Sequence, residues 1–279
     1  MRATRKAASV ICYLVFAALA AAYILPLVIT LTNSFMGQSE LAHNLFGYVI
    51  RMPLLPSDVT LAQYRQILIE SPIYLNMLWN TIAIATPVIL GTLIVSSAAA
   101  YAFTVLTFKG KETLFFIYLV VMLLPLQVTL MPNYIVADFL GIRDSWLAII
   151  LPGIFSPFGV FILRRQMKVM PVSYIEAAQI DGAGHLRILS RIVLPLVKSG
   201  LAALAVLTFI EYWNLIDQAI VFIEDIDKQP MSLFLSRINQ KQMGVTFAAS
   251  SFYVFPALVV LLYGADYLRD GIRLSSNKT

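Results

Sequence analysis

Two settings hold the residues of this 279-residue chain that could do chemistry. In the first, ionisable, amide and indole side chains interrupt long apolar runs: Asn80, Gln127, Glu211, Trp213, Asn214 and Asp217, with Asp266 further on. An acid inside a bilayer is costly, so it faces a cavity or a partner rather than lipid. For Glu211 the choice is between lining a path and hydrogen-bonding a neighbouring helix. Asp217 also fits a solvated position at the outer surface, and Asp266 a pairing with Arg269. Amides and an indole suit a hydroxylated solute, and they equally suit helix-to-helix packing. The second setting is a polar stretch, residues 164–199, that runs between two apolar segments.

Much chemistry is excluded. The single cysteine, Cys12, lies in an apolar run, so no intrachain disulfide forms and the thiol reads as a small buried hydrophobe. His43 and His185 have no metal-ligand company, no zinc spacing or catalytic triad occurs, and no phosphate-binding G-x-x-x-x-G-K-[ST] loop is present. Any ATP hydrolysis must come from another chain. The net charge of +5 is scattered in small clusters between apolar runs, which argues against a nucleic-acid surface.

The elements that must position these residues are membrane helices. Hydrophobic residues make up 59% of the chain and charged ones only 13%, about half the charge of an ordinary soluble domain. The apolar residues gather into runs near the ~20 residues that cross a bilayer core. Six spans follow, over residues 7–31, 75–106, 113–131, 146–163, 200–223 and 247–268, so the expected fold is an all-α integral membrane protein. The first run is too long for the core of a signal peptide and reads as a retained span. The second is longer than a bilayer needs, so part of it tilts or projects. Prolines 26, 87, 125, 152, 157 and 256 interrupt the spans, which requires a packed bundle to satisfy the carbonyls they free. We expect one membrane domain over residues 1–279. With the N-terminus inside, the 20 lysines and arginines divide fourteen inside to six outside, which puts both termini and residues 164–199 in the cytoplasm. The outer connection after the first span should contain a short amphipathic helix near residues 61–69, and the acidic run Glu224-Asp225-Ile226-Asp227 reads as a solvated outer loop.

The polar stretch reads as helix, glycine break, helix. Ser173 and Glu176 stand at capping-box spacing. Gly182 and Gly184 are free to take positive φ at a sharp turn. Beyond them Leu186, Leu189, Ile192 and Val193 share one face, opposite Arg187, Ser190 and Arg191, until Pro195 ends the segment. An elbow of this kind has the form of a docking element for another protein.

Glu176-Ala177-Ala178, then Asp181-Gly182-Ala183, then Ile192-x-Leu194-Pro195 resembles the EAA loop of ATP-binding-cassette (ABC) importer permeases, in the carbohydrate branch with the maltose-type permeases. Asn80-Thr81, Ala100-Tyr101-Ala102-Phe103, Leu124-Pro125-Leu126-Gln127 and Trp213-Asn214 follow in the family's order. Ser199 or Gly200 stands where the family often has proline, and Asp217-Gln218 replaces its usual apolar stretch. The resemblance implies a bacterial or archaeal plasma-membrane subunit that imports a sugar, oligosaccharide or glycoside. It implies that these loop residues form a coupling helix against an ATPase. The implied partners are a second permease, two ATPase subunits (or one ATPase homodimer) carrying ATP and Mg, an extracytoplasmic solute-binding protein and membrane lipid. No cofactor or metal is implied on this chain. Glu211 and Asp217 leave open a polyamine or other cationic solute, or an ion-coupled secondary transporter.

Overall fold

The computed structural model describes residues 2–46, 55–237 and 242–273, with side chains left out at residues 2–10, 45–46, 266 and 268–273. The expected Asp266–Arg269 pair therefore lies outside the described side chains. The described residues form helices without a sheet; Met36 and Val59 make one isolated antiparallel bridge. Four helices are long and apolar enough to cross a membrane, or six when each of two bent pairs counts as one span.

Two compact units are present. The first comprises residues 1–75 and 235–255. It holds the helix Arg2–Asn33, whose described side chains up to Leu27 are exposed, as suits a helix facing lipid. It also holds a polar cluster beyond that helix. Gln63 Nε2 donates to the Met36 carbonyl at 2.6 Å, the Gly244 N–H donates to Gln38 Oε1 at 2.9 Å, and the Ser34 and Tyr64 hydroxyls lie 2.7 Å apart. The short helix expected near residues 61–69 is there, as Ala62–Arg65 running into a wider π turn over Gln66–Glu70.

The second unit comprises residues 76–234 and 256–279 and holds both hydrophobic cores. Proline shapes it. The expected span over 113–131 is instead two helices, Lys111–Met122 and Leu126–Phe139, bent by 103°. Pro125 has no N–H to continue the first helix, and its ψ of 147° makes it the extended residue that starts the second. Val121, whose carbonyl Pro125 strands, accepts instead from the Leu124 N–H at 3.1 Å. Likewise Pro157 strands the carbonyl of Gly153, and the Thr92 hydroxyl donates to it at 3.1 Å from another helix, Pro72–Thr104. This is how a membrane bundle tolerates broken helices.

The span expected over 200–223 is also corrected. Its helix, Lys198–Trp213, stops where Asn214 turns its own amide back: both the Asn214 N–H and Nδ2 donate to the Ile210 carbonyl. A separate short helix, Asp217–Phe222, follows. The loop beyond it is pinned by Asp144, whose φ of 52° is the left-handed region that aspartate tolerates better than most residues. Asp144 Oδ1 accepts from the Glu224 and Asp225 N–H groups at 3.0 Å, and Oδ2 accepts from Lys228 Nζ at 2.9 Å. The Asp225 N–H and the Lys228 ammonium together hold the Asp144 carboxyl below the usual carboxylate range. Lys228 is raised in return, chiefly by its bond to Asp144.

Candidate functional site

The elbow is built as two helical pieces around a glycine. The helix Ser173–Ile180 turns Ile175 and Ala178 into a core with Ile188, Val193 and Leu163. Its start differs from the capping-box expectation: Ser173 lies already inside the helix, Val172 precedes it in αR conformation, and no side chain caps it. Asp181 follows, and Gly182 takes φ +76° with open space around its missing Cβ. Only backbone conformation, not packing, asks for glycine here. Gly184 is extended at φ −71°, so the positive-φ expectation is met at Gly182 alone.

The second piece runs as His185–Ile188 and then a π turn, Leu189–Val193. The wider turn shifts register, which corrects the face read from α-helical spacing. Ile188 and Val193 are fully buried, Leu189 and Ile192 are half-buried, and Leu186 is 84% exposed. Leu194 and Pro195 close this segment, and the chain bends by 81° into the span Lys198–Trp213. The outer surface of the elbow carries Glu176, Ala177, Asp181 and Gly182, with two bare hydrophobes, Ile180 at 87% and Leu186 at 84% exposure. Ala183 is half-buried.

The elbow is tethered to the bundle at His185, and the helix before it, Pro157–Met167, is tethered at Arg164. Tyr101 Oη and His185 Nδ1 lie 3.0 Å apart. Arg164 looked like one orientation charge among many, yet it is 3% exposed. Its Nε donates to the Phe103 carbonyl, its guanidinium bonds Glu112, and it lies 3.6 Å from the centre of the Phe115 ring. The one signal for this in the sequence was the Arg164-Arg165 pair directly after an apolar run, and spacing cannot tell which of two adjacent arginines turns inward.

The second feature is a cavity of about 590 Å³ within the broken helices. Glu211 lines it with Tyr212, Gln218, Asn133, Thr208 and Thr129, and Pro152 and the break at Ser156-Pro157 also line it. Gly153 makes room: a Cβ there would fall 2.5 Å from Tyr212 Oη.

Residues 96–273 match the model of a protein family described as binding-protein-dependent transport system inner membrane component. The chain belongs to this family. The permease is 26% identical over 280 residues to the arabinooligosaccharides transport system permease protein AraQ of Halalkalibacterium halodurans, covering 98% of this chain and 99% of that one. It is 31% identical over 208 residues to the osmoprotective compounds uptake permease protein GgtD of Synechocystis sp., covering 72% and 69% of the two chains. Its fold matches a chain from the crystal structure of a bacterial ABC transporter involved in import of the acidic polysaccharide alginate, with a TM-score of 0.82 at 21% identity over 95% of this chain and 97% of that one. The permease is thus a multi-pass plasma-membrane transport subunit.

Of the residues singled out for a path, the cavity gathers Glu211 and not the others. Trp213 is buried and stacks on Phe209 at 4.9 Å. Asn80 is buried and donates to the Asp227 and Gln229 carbonyls at 2.7 and 3.0 Å, tying its helix to a loop. Asn214 is the helix cap described above, Asp217 is the exposed first residue of its short helix, and Gln127 is exposed one residue after the start of Leu126–Phe139. The hydroxyl and amide residues of the cavity, Thr92, Asn133, Thr208 and Tyr212, were missed. Each is unremarkable in an apolar run, and only the breaks bring them to one space.

Proposed function

We propose that this permease carries a sugar or oligosaccharide through the cavity at Glu211, and that residues 173–196 couple it to a separate ATPase. The observation that carries the coupling half is the pair of bare hydrophobes, Ile180 and Leu186, on a short elbow whose inner face is locked into a core. An apolar outer surface on so rigid a support is what a protein partner buries. The contact set is Glu176, Ala177, Ala178, Asp181, Gly182, Ala183, Ile192, Leu194 and Pro195, joined by Ile180 and Leu186; of these Ala178 and Ile192 hold the elbow's shape from within.

The complete machine comprises this chain, a second permease, two ATPase subunits holding ATP and Mg, and an extracytoplasmic binding protein. Both termini and the elbow face the cytoplasm in this reading, in line with the fourteen-to-six division of lysine and arginine. ATP binding closes the ATPases, the elbows move with them, and the bundle exchanges inward for outward access. The sugar class is supported by the relative named for arabinooligosaccharides and by a cavity with several hydroxyl and amide side chains.

The test is purification of the tagged chain from its own membrane, identification of the subunits retained, and reconstitution of that complex in vesicles. ATP-dependent and binding-protein-dependent uptake of a labelled oligosaccharide is the expected result. Retention of no ATPase, or uptake that continues without ATP, would refute the proposal. Single cysteines at Ser39 and Ser190 in a Cys12-free variant check orientation: Ser39 should react from outside and Ser190 from inside.

A further inference from the structure

We infer that Glu211 is a specificity-determining residue that makes this cavity reject anionic solutes and admit hydroxyl-rich solutes without negative charge. The inference rests on the reading of the cavity as the solute path. Among the described residues, Glu211 is the only charged side chain that lines it. The segments that form its walls, residues 92, 121–133, 152–158 and 208–218, contain no lysine or arginine. Along the chain the nearest bases are Lys109 and Lys111, Arg143, Arg164, Lys198 and Lys228. Of these, Lys111 is committed to the Thr104 and Leu106 carbonyls, Arg143 to Asp138 and Glu224, Arg164 to Glu112, and Lys228 to Asp144. Glu211 makes none of the ion pairs found among the described residues.

An anionic solute entering this space therefore meets a carboxylate and no compensating cation. Glu211 is exposed toward this open cavity, so its charge is presented directly to an entering solute, and apolar walls such as Val121, Leu126 and Phe158 supply no offsetting charge. A neutral sugar meets instead the Asn133 amide, the Thr208 and Tyr212 hydroxyls and Gln218, and can also donate a hydroxyl to Glu211. Single-sign charge at a constriction is a selectivity device that pores use widely.

The experiment compares uptake of one oligosaccharide that the reconstituted transporter imports with uptake of its uronate derivative, in which one –CH2OH is replaced by –COO−. The neutral-to-acidic ratio is measured for the natural chain, for Glu211→Gln and for Gln218→Glu, always with the same binding protein. Because the binding protein is constant, its own preference cancels when ratios are compared between variants. The expected outcome is a fall in the ratio of about tenfold in Glu211→Gln, the effect of roughly one pKa unit's worth of interaction energy. A rise is expected in Gln218→Glu, which adds a second carboxylate to the wall. A ratio unchanged in both variants, with the complex intact by co-purification, would overturn the inference while leaving the sugar reading in place. Absence of uptake of either sugar by the intact natural complex would instead overturn the sugar reading, and this inference with it.

Discussion

The elbow and the cavity are built from opposite placements of the same residue types. In the elbow the apolar side chains Ile175, Ala178, Ile188 and Val193 point into a core, and further hydrophobes, Ile180 and Leu186, stand bare outside. At the cavity the polar side chains Glu211, Asn133 and Thr208 point into a space, while Ile135, Val136 and Phe139 on the helix Leu126–Phe139 face outward. A short elbow that sets bare hydrophobes among charged side chains on its outer surface asks for a protein partner. A hollow whose apolar walls carry a few polar side chains asks for a solute, with lipid outside. The backbone devices differ accordingly: one positive-φ glycine shapes the elbow, and prolines whose stranded carbonyls are met elsewhere shape the cavity.

The largest effect should come from the glycine. Valine at Gly182 must adopt a φ near +76°, a conformation β-branched residues avoid at a cost of about 1–3 kcal/mol. The elbow would relax to another path, and the permease should reach the membrane at normal level yet lose its ATPase or lose coupling. Gly184→Val sharpens the point, since Gly184 is extended and nothing lies within 4 Å of its Cβ position. That variant should couple normally. Equal behaviour of the two in ATPase co-purification and transport-linked hydrolysis would remove Gly182 from its role.

Next in size is the elbow's bare surface. Ile180→Asp with Leu186→Asp replaces two exposed side chains that contribute nothing to the core, so thermal stability of the isolated permease should hold within ~0.5 kcal/mol per site. ATPase retention should fall by at least about tenfold, because each aspartate would be buried unpaired in the joint. Normal retention would mean that the ATPase contacts another face.

The cavity side gives a smaller and different effect. Thr92→Val keeps the volume near that of threonine but leaves the Gly153 carbonyl without its donor, a loss of about 1–3 kcal/mol for a buried acceptor. The expected phenotype is reduced thermal stability with ATPase retention intact, the reverse of the Ile180/Leu186 pair. Lost retention in Thr92→Val would show that the two regions are less separable than their construction suggests.

These contrasts also mark what was legible in the sequence. The all-helical class and the apolar composition of the spans were, because hydropathy integrates over whole helices; the count of six holds only when each bent pair is one span. The elbow was, because its turn is local and Gly182, Leu194 and Pro195 announce it. The two span ends that had to be corrected depend on single side chains, Pro125 at a 103° bend and Asn214 as a cap, which a window average cannot register. Ser173 carried a capping signature that the chain does not use, since the helix begins from Val172 in αR conformation. Helical spacing puts Leu186, Leu189, Ile192 and Val193 on one shared face, and the π turn over Leu189–Val193 breaks that spacing, with Val193 buried and Leu186 exposed. The neighbours of Glu211 come from four separate segments, so no spacing along the chain could have grouped them.

The smallest effect concerns the ionic latch at Asp144, a polar region that belongs to neither class. Its carboxyl is held below the usual carboxylate range, first by the Asp225 N–H and then by Lys228. A folded-state pKa below the unfolded one contributes stability that is present above the unfolded value and lost as pH falls through the folded value. Lys228 is raised, so its contribution is present below the ordinary lysine range and is lost only as pH rises through the higher folded value. The latch should therefore stay closed across neutral pH and open only in acid below the usual carboxylate range or in strong alkali. Asp144→Asn retains a residue tolerant of φ near 52° and one carbonyl acceptor, but removes the charge. Amide hydrogen exchange at Glu224 and Asp225, whose N–H groups donate to Asp144, reads the latch directly. In the natural chain their protection should fall only at the acid end. In Asp144→Asn protection should be weaker at neutral pH and flat through the acid range, while sugar uptake is unaltered. Acid-dependent protection that survives in Asp144→Asn would mean that a different carboxylate, such as Glu224 against Arg143, governs the loop.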